Sequence, residues 1–127
     1  PGVNIGLFCS TPMVAVSRKV SRKKTMKMLL TGDSINAKYA KEIGLINDHY
    51  PISKLDAEAL NLAKKIASKS NLTVKIGKKA FYKQLEMSLV EAYKYTSKVM
   101  TKNMMAQDAR EGISAFLEKR TPQWKNK

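Results

Sequence analysis

The sequence is short of acid, of cysteine and of long apolar runs, and each shortage closes off a class of protein. A single cysteine, Cys9, forbids an internal disulfide and fits a reducing compartment. No run of eighteen apolar residues occurs, so no segment reads as a membrane-spanning helix. His49 is the sole histidine; without companions nearby it reads as a turn residue ahead of Pro51 rather than a metal ligand. Aromatic residues are 7% of the chain and do not interleave with the basic ones as a platform for bases. With no nucleic-acid module either, sequence-specific nucleic-acid recognition is excluded. Acid is the largest deficit: ten Asp and Glu face 24 Lys and Arg, giving a net charge of +14 and an isoelectric point near 10.0. Such an excess favours RNA, anionic lipid, phosphorylated cofactors or acidic protein surfaces, unless it is only a solvated lysine-rich exterior.

At 127 residues and 43% hydrophobic, the chain has apolar material for one small packed domain or part of a larger one. It opens on Pro1 with no charged-then-apolar leader before it, so a targeting segment is expected to be cleaved or absent. Val3 to Phe8 reads as a short strand, and Pro12 as the first turn of a helix. Arg22 to Leu30 forms a second helix with Met26, Leu29 and Leu30 as its apolar stripe, closed by a left-handed cap at Thr31-Gly32. Asn36 caps a helix over Ala37 to Ile43 that Gly44 ends, and Leu45-Ile46-Asn47 reads as a brief strand or extended link. Ser53 is expected to cap a helix with Leu55, Ala59, Leu62 and Ile66 on one face. A further helix carries Ile76, Ala80, Phe81 and Leu85. Ser88 and Glu91 form a capping box for a helix striped with Leu89, Tyr93, Thr96, Met100 and Met104. Asp108 and Glu111 are expected to cap the last helix, through Ile113, Phe116 and Leu117. One or two strands before five or six helices make no complete sheet, and a lone strand needs neighbours, so missing strands are expected upstream.

Two blocks carry a family signal. Leu30-Thr31-Gly32-Asp33-Ser34-Ile35-Asn36-Ala37, running on to Gly44-Leu45-Ile46-Asn47, resembles the crotonase (enoyl-CoA hydratase/isomerase) pattern L-T-G-x-x-I-S-A-x-x-A-x-x-x-G-L-V-N. Asp108 to Arg120 is similar to that family's tail, D-x-x-E-G-x-x-A-F-x-E-K-R. The resemblance implies an α/β crotonase (ClpP/crotonase-like) fold, of which this chain is the mostly helical C-terminal part. Residues 1–52 would end the ββα spiral core, and 53–127 would be the helical region used for trimerisation. A homo-trimer or hexamer and a coenzyme A thioester ligand are implied, with no covalently bound cofactor. The branch most similar at Pro1 to Pro12 and at Gly77 to Leu85 is mitochondrial.

By the same resemblance, two backbone N–H groups upstream would stabilise an enolate, and two glutamates would move the proton and the water. The second glutamate follows a proline in P-E-x-x-x-G. Here the corresponding residues are Pro1-Gly2-Val3, and glycine has no proton to give or take. Where the family has P-G-A-G-G-T, this chain has Cys9-Ser10-Thr11-Pro12-Met13-Val14. The resemblance therefore implies fatty-acid-related chemistry in which hydratase activity is lost, and no catalytic residue is assigned within this chain. Phe116 and Lys119 match the tail positions that lie near the adenine end of coenzyme A, where a ring covers the base and an ammonium meets a phosphate. Their other reading is a core phenylalanine and a solvated lysine. The competing functional reading is a non-catalytic structural subunit of a large mitochondrial assembly, holding acidic partners or RNA by its basic surface. The crowded run Arg18, Lys19, Arg22, Lys23, Lys24 and Lys27 motivates it. Cys9 as a nucleophile lacks a histidine partner with a carboxylate behind it. The methionines read as gap-filling core and interface.

Overall fold

A computed structural model of the chain describes residues 2–127; the reading of Pro1 lies outside them. A 3-10 helix, Gly2–Ile5, precedes seven helices: α1 (Ser10–Ser17), α2 (Arg22–Thr31), α3 (Ala37–Glu42), α4 (Ile52–Ala67), α5 (Asn71–Gln84), α6 (Leu89–Met104) and α7 (Gln107–Leu117). The chain divides into two compact units, Pro1–Glu58 and Ala59–Lys127, and the division falls inside α4.

In the first unit, α2 packs on α1 and on the 3-10 helix. Val20, Thr25, Ala40 and Ile43 are its buried residues, and Thr25 Oγ1 donates to the Val20 carbonyl at 3.3 Å. Gly32 ends α2 at φ 64°, a conformation that favours glycine, and a Cβ there would lie 2.8 Å from the Asn4 side chain. The Asn36 carboxamide oxygen accepts from the Tyr39 N–H at 2.8 Å and starts α3 as read. Asp48 then organises the turn into α4, accepting from Lys41 Nζ at 2.6 Å, from the His49 N–H at 2.8 Å and from the Tyr50 hydroxyl at 3.3 Å.

Neither the segment read as a strand nor the one read as a brief strand or extended link is strand. Val3 to Phe8 is taken up by the 3-10 helix and a turn in which the Leu7 N–H reaches back to the Gly2 carbonyl at 2.9 Å. Leu45 to Asn47 is a run of bends, its first amide still bonded to the Ala40 carbonyl of α3. Alternation of small and apolar residues is a weak strand signal, and local hydrogen bonds override it here. Ser53 does not cap α4. The helix begins at Ile52 with the Pro51 carbonyl accepting the first bonds, since a proline there forfeits no useful donor.

In the second unit α5 and α6 form an antiparallel hairpin, and α7 packs on α6. Ala80 and Ala92 are buried, small enough to let their helices close up. Ser70 caps α5, and Ser88 with Glu91 makes the full capping box of α6. Large apolar side chains are mostly left outside: Leu62, Ile66, Tyr93, Met100 and Met104 are exposed, as is Leu55 in the first unit, so the methionine stripe of α6 is not core within this chain.

Candidate functional site

Gly2, which the sequence resemblance sets against a proton-handling glutamate, lies at the start of the first unit, in the turn Gly2 to Cys9. The turn is closed by the Leu7 N–H to the Gly2 carbonyl, and by Gly6, which adopts φ 77° and donates to the Val3 carbonyl. Cys9 stands at the N-cap of α1, where its carbonyl accepts from the Met13 N–H at 3.0 Å. Its half-buried thiol folds back over Gly2. A Cβ on residue 2 would lie 2.5 Å from Cys9 Sγ and 2.9 Å from the Leu7 carbonyl oxygen. A side chain at residue 2 would therefore have to displace the Cys9 thiol and the Leu7 carbonyl. That Cys9 lies over Gly2 is a through-space fact with no local signal in the sequence.

Phe116 lies in the last turn of α7 and Lys119 two residues beyond its end, in the second unit. Phe116 is 83% exposed within this chain. The turn that ends the helix bonds the Arg120 N–H to the Ala115 carbonyl at 3.0 Å, with Lys119 in the left-handed region at φ 55°. Glu118, its neighbour, is held by Arg120 Nε at 2.6 Å, and no carboxylate within ion-pair distance holds Lys119 among the described residues. Phe116 also borders an apolar groove of about 570 Å³, with Ser70, Val74, Gly112, Ile113 and Trp124 among its walls. A groove of that size and lining can take a flat heterocycle or an acyl segment.

Behind the groove lies a clasp that sequence reading misassigned. Asp108 does not cap α7; the cap position is Ala106, with no side-chain bond. Instead Asp108, 2% exposed, accepts from the Ser70 hydroxyl and from the Lys125 and Asn126 N–H groups at 2.8 and 3.0 Å. Its own N–H donates to the Lys127 carbonyl at 3.1 Å. The Ser70 hydroxyl, first, and the tail amides hold the Asp108 carboxyl below its ordinary range. Glu111, the other expected cap, takes Arg120 in a two-pronged pair at 2.6 and 3.0 Å and the Gln123 N–H at 2.8 Å. The guanidinium and that amide lower its pKa to about 2. Trp124 completes the clasp, donating from Nε1 to the Ser68 carbonyl at 2.8 Å while its ring lies where a Cβ on Gly112 would touch at 3.3 Å. The tail motif resembles a binding signature in the sequence, yet Asp108, Glu111 and Arg120 spend their polar groups on tying the last residues down.

Comparison with known proteins decides the family. The family model described as enoyl-CoA hydratase/isomerase matches residues 1–127. The chain belongs to the enoyl-CoA hydratase/isomerase family. Among relatives, the mitochondrial enoyl-CoA hydratase domain-containing protein 3 of Mus musculus is 50% identical over 124 residues, covering 98% of this chain and 41% of the relative. The Homo sapiens protein of that name is 49% identical over the same length. The crystal structure of human enoyl-CoA hydratase domain-containing protein 3 superposes with a TM-score of 0.92 at 49% identity, over 98% of this chain and 49% of that one. The enoyl-CoA hydratase of Mycobacterium smegmatis gives 0.93 at 46% identity, over 97% and 48%. The chain therefore has the helical part of the crotonase fold and spans about two fifths to one half of the relatives it matches.

Proposed function

We propose that this chain is the C-terminal part of a mitochondrial, acyl-CoA-related protein of fatty-acid metabolism that engages a coenzyme A thioester without hydrating it. The observation that carries the reading is the closed space at residue 2, where Cys9 Sγ and the Leu7 carbonyl lie 2.5 and 2.9 Å from a would-be Cβ. Hydration needs a group to deliver or remove a proton at that edge of the acyl chain, and a glycine under a thiol does neither. Enolate stabilisation by backbone N–H groups does not depend on this residue, so thioester binding is compatible with the loss. Phe116 and Lys119, both exposed and the lysine unpaired by acid among the described residues, suit the adenine and phosphate end of the ligand. The test is hydration of crotonyl-CoA by the full-length protein, followed at the enoyl absorbance. The expected result is no turnover above background together with measurable coenzyme A binding by calorimetry. Lys119→Gln should weaken that binding about fivefold. Turnover at a hydratase-like rate overturns the reading.

The helical region 53–127 fits a trimerisation role, because Tyr93, Met100 and Met104 leave an exposed apolar stripe along α6. The same stripe favours a second reading, a structural subunit of a larger mitochondrial assembly. Sedimentation separates the two: a free homo-trimer or hexamer supports self-association, and a stable heterologous complex supports the second reading.

A further inference from the structure

The α5/α6 hairpin carries a charge pattern that neither the family chemistry nor the clasp uses. Lys75, Lys79 and Lys83 recur every four residues along α5, and Lys94, Lys98 and Lys102 do so along α6. Residues at that spacing share one helix face, so each set forms a row of about 12 Å. The two rows lie on the same side of the hairpin. Thr73 Oγ1 meets Asn103 Oδ1 at 3.4 Å, which fixes the antiparallel register at one end. At the other end Lys83 Nζ sits 4.9 Å from the centroid of Tyr95, a residue flanked on its outer side by Lys94 and Lys98. All six lysines are exposed, and none pairs with a carboxylate among the described residues. Glu86 and Glu91 are the acids at this end of the hairpin, and Glu91 is engaged by the Ser88 hydroxyl at 2.6 Å and the Ser88 N–H at 3.2 Å. The face remains strongly positive.

A second feature adjoins it. At the tip, where α5 turns into α6, Leu85, Leu89 and Val90 project into solvent, Leu89 at 73% and Val90 at 78% exposure. We propose that the hairpin is a docking face for an anionic lipid bilayer, the two lysine rows lying along the headgroups and the Leu85, Leu89 and Val90 tip entering the acyl boundary. Charge complementarity selects an anionic partner, and two details select a membrane among anionic partners. The six cations are all lysines, point charges without the planar fork that arginine offers to individual phosphates, so they suit a diffuse surface field. The aliphatic tip is of no use to a nucleic-acid backbone, whereas apolar side chains beside a cationic face are what a peripheral membrane contact requires. This assignment is independent of whether the thioester is hydrated.

The experiment is flotation of the full-length protein with vesicles of phosphatidylcholine alone or of phosphatidylcholine with cardiolipin. Adsorption to the cardiolipin vesicles, absent on neutral ones and weakened by salt, is expected. The triple variant Lys94→Gln, Lys98→Gln, Lys102→Gln should lower the partition on the order of a hundredfold, with an unchanged melting temperature because these side chains are exposed. Leu89→Ser with Val90→Ser should lower it about tenfold while leaving the salt dependence intact. The arginine version of the triple variant should bind as the parent does. Equal adsorption of the parent and the glutamine variant, or no adsorption at all, overturns the proposal. Single-stranded RNA bound by the parent and lost in the triple variant, without vesicle adsorption, also overturns it and gives the face to nucleic acid.

Discussion

The turn from Gly2 to Cys9 and the clasp around Asp108 treat a carboxyl group in opposite ways. In the first, Gly2, set by resemblance against a proton-handling glutamate, has no side chain, and a thiol and a carbonyl close the space above it. In the second, a carboxylate is kept, buried, and saturated by one hydroxyl and two amides drawn from the start of α5 and the chain's last residues. A catalytic carboxyl needs free lone pairs and an open approach, and a structural one needs donors on every side. The charged residues of the tail, Asp108, Glu111 and Arg120, are engaged in the structural task. Gly2, by contrast, offers no side chain, and the turn around it is closed by Cys9 and the Leu7 carbonyl.

Breaking the clasp should have the largest effect. Asp108→Ala removes the acceptor for the Ser70 hydroxyl and for the Lys125 and Asn126 amides, leaving donors unpaired in a site that water does not reach easily. Thermal unfolding of the full-length protein should drop by about 10 °C, and limited proteolysis should then cut within residues 121–127. A loss no larger than that of an exposed control, Asp56→Ala, would remove the distinction between the two carboxyl positions. The turn comes next. Gly2→Ala places a Cβ against Cys9 Sγ and the Leu7 carbonyl and should lower the melting temperature by about 5 °C, as overpacking does. Cys9→Gly in the same chain should recover part of that loss, because the thiol can be removed and the carbonyl cannot. Strict additivity of the two changes would show that thiol and position 2 do not share space. Gly2→Glu should yield no hydration of crotonyl-CoA for the same reason.

A smaller effect comes from pH. Glu111 ordinarily titrates near 4.5 and is lowered to about 2 in the fold, first by the Arg120 hydrogen bonds and then by the Gln123 amide. Asp108 is lowered from its ordinary 3.8, first by the Ser70 hydroxyl. The unfolded chain therefore takes up protons at a higher pH than the folded one. The stabilisation is complete above the ordinary carboxyl pKa and is lost as pH falls through the folded values. Melting temperature should be flat down to about pH 5 and then decline towards about pH 2. Glu111→Gln should flatten part of that decline, and added salt should mimic the variant, because the Arg120 pair is partly solvated.

How well each feature was legible in the sequence follows how far its partners lie along the chain. Asn36 and Ser88 are read correctly as caps because their acceptors meet amides three residues on. Gly32 is read correctly as a left-handed stop, since one residue's backbone decides it. Asp108 is misread because its partners stand at Ser70 and at Lys125 and Asn126, and a cap is the only role that local spacing offers a first-turn aspartate. The Val3 to Phe8 segment is misread for a related reason: strand character depends on a neighbouring strand, and among the described residues none is present to pair with it. At the candidate site, the absence of a carboxyl at Gly2 is visible from the family pattern. The thiol lying over it appears only when the turn has closed.

The least costly change tests that scale from the other end. Ser88 and Glu91 satisfy each other's backbone donors within one turn, with Ser88 Oγ accepting from the Glu91 N–H and Glu91 Oε2 from the Ser88 N–H at 3.2 Å. Ser88→Ala should cost about 1 kcal/mol by denaturant titration, the usual value of an N-cap, with the slope against denaturant unchanged. The hydroxyl also holds the Glu91 carboxyl below its ordinary range, so the variant should lose a small acid-side dependence as well. The cap shares no partner with the clasp, so its effect should add to that of Asp108→Ala. A coupling between the two would mean that the start of α6 senses the tail, and that the separation between locally held and remotely held carboxylates does not survive in the folded chain.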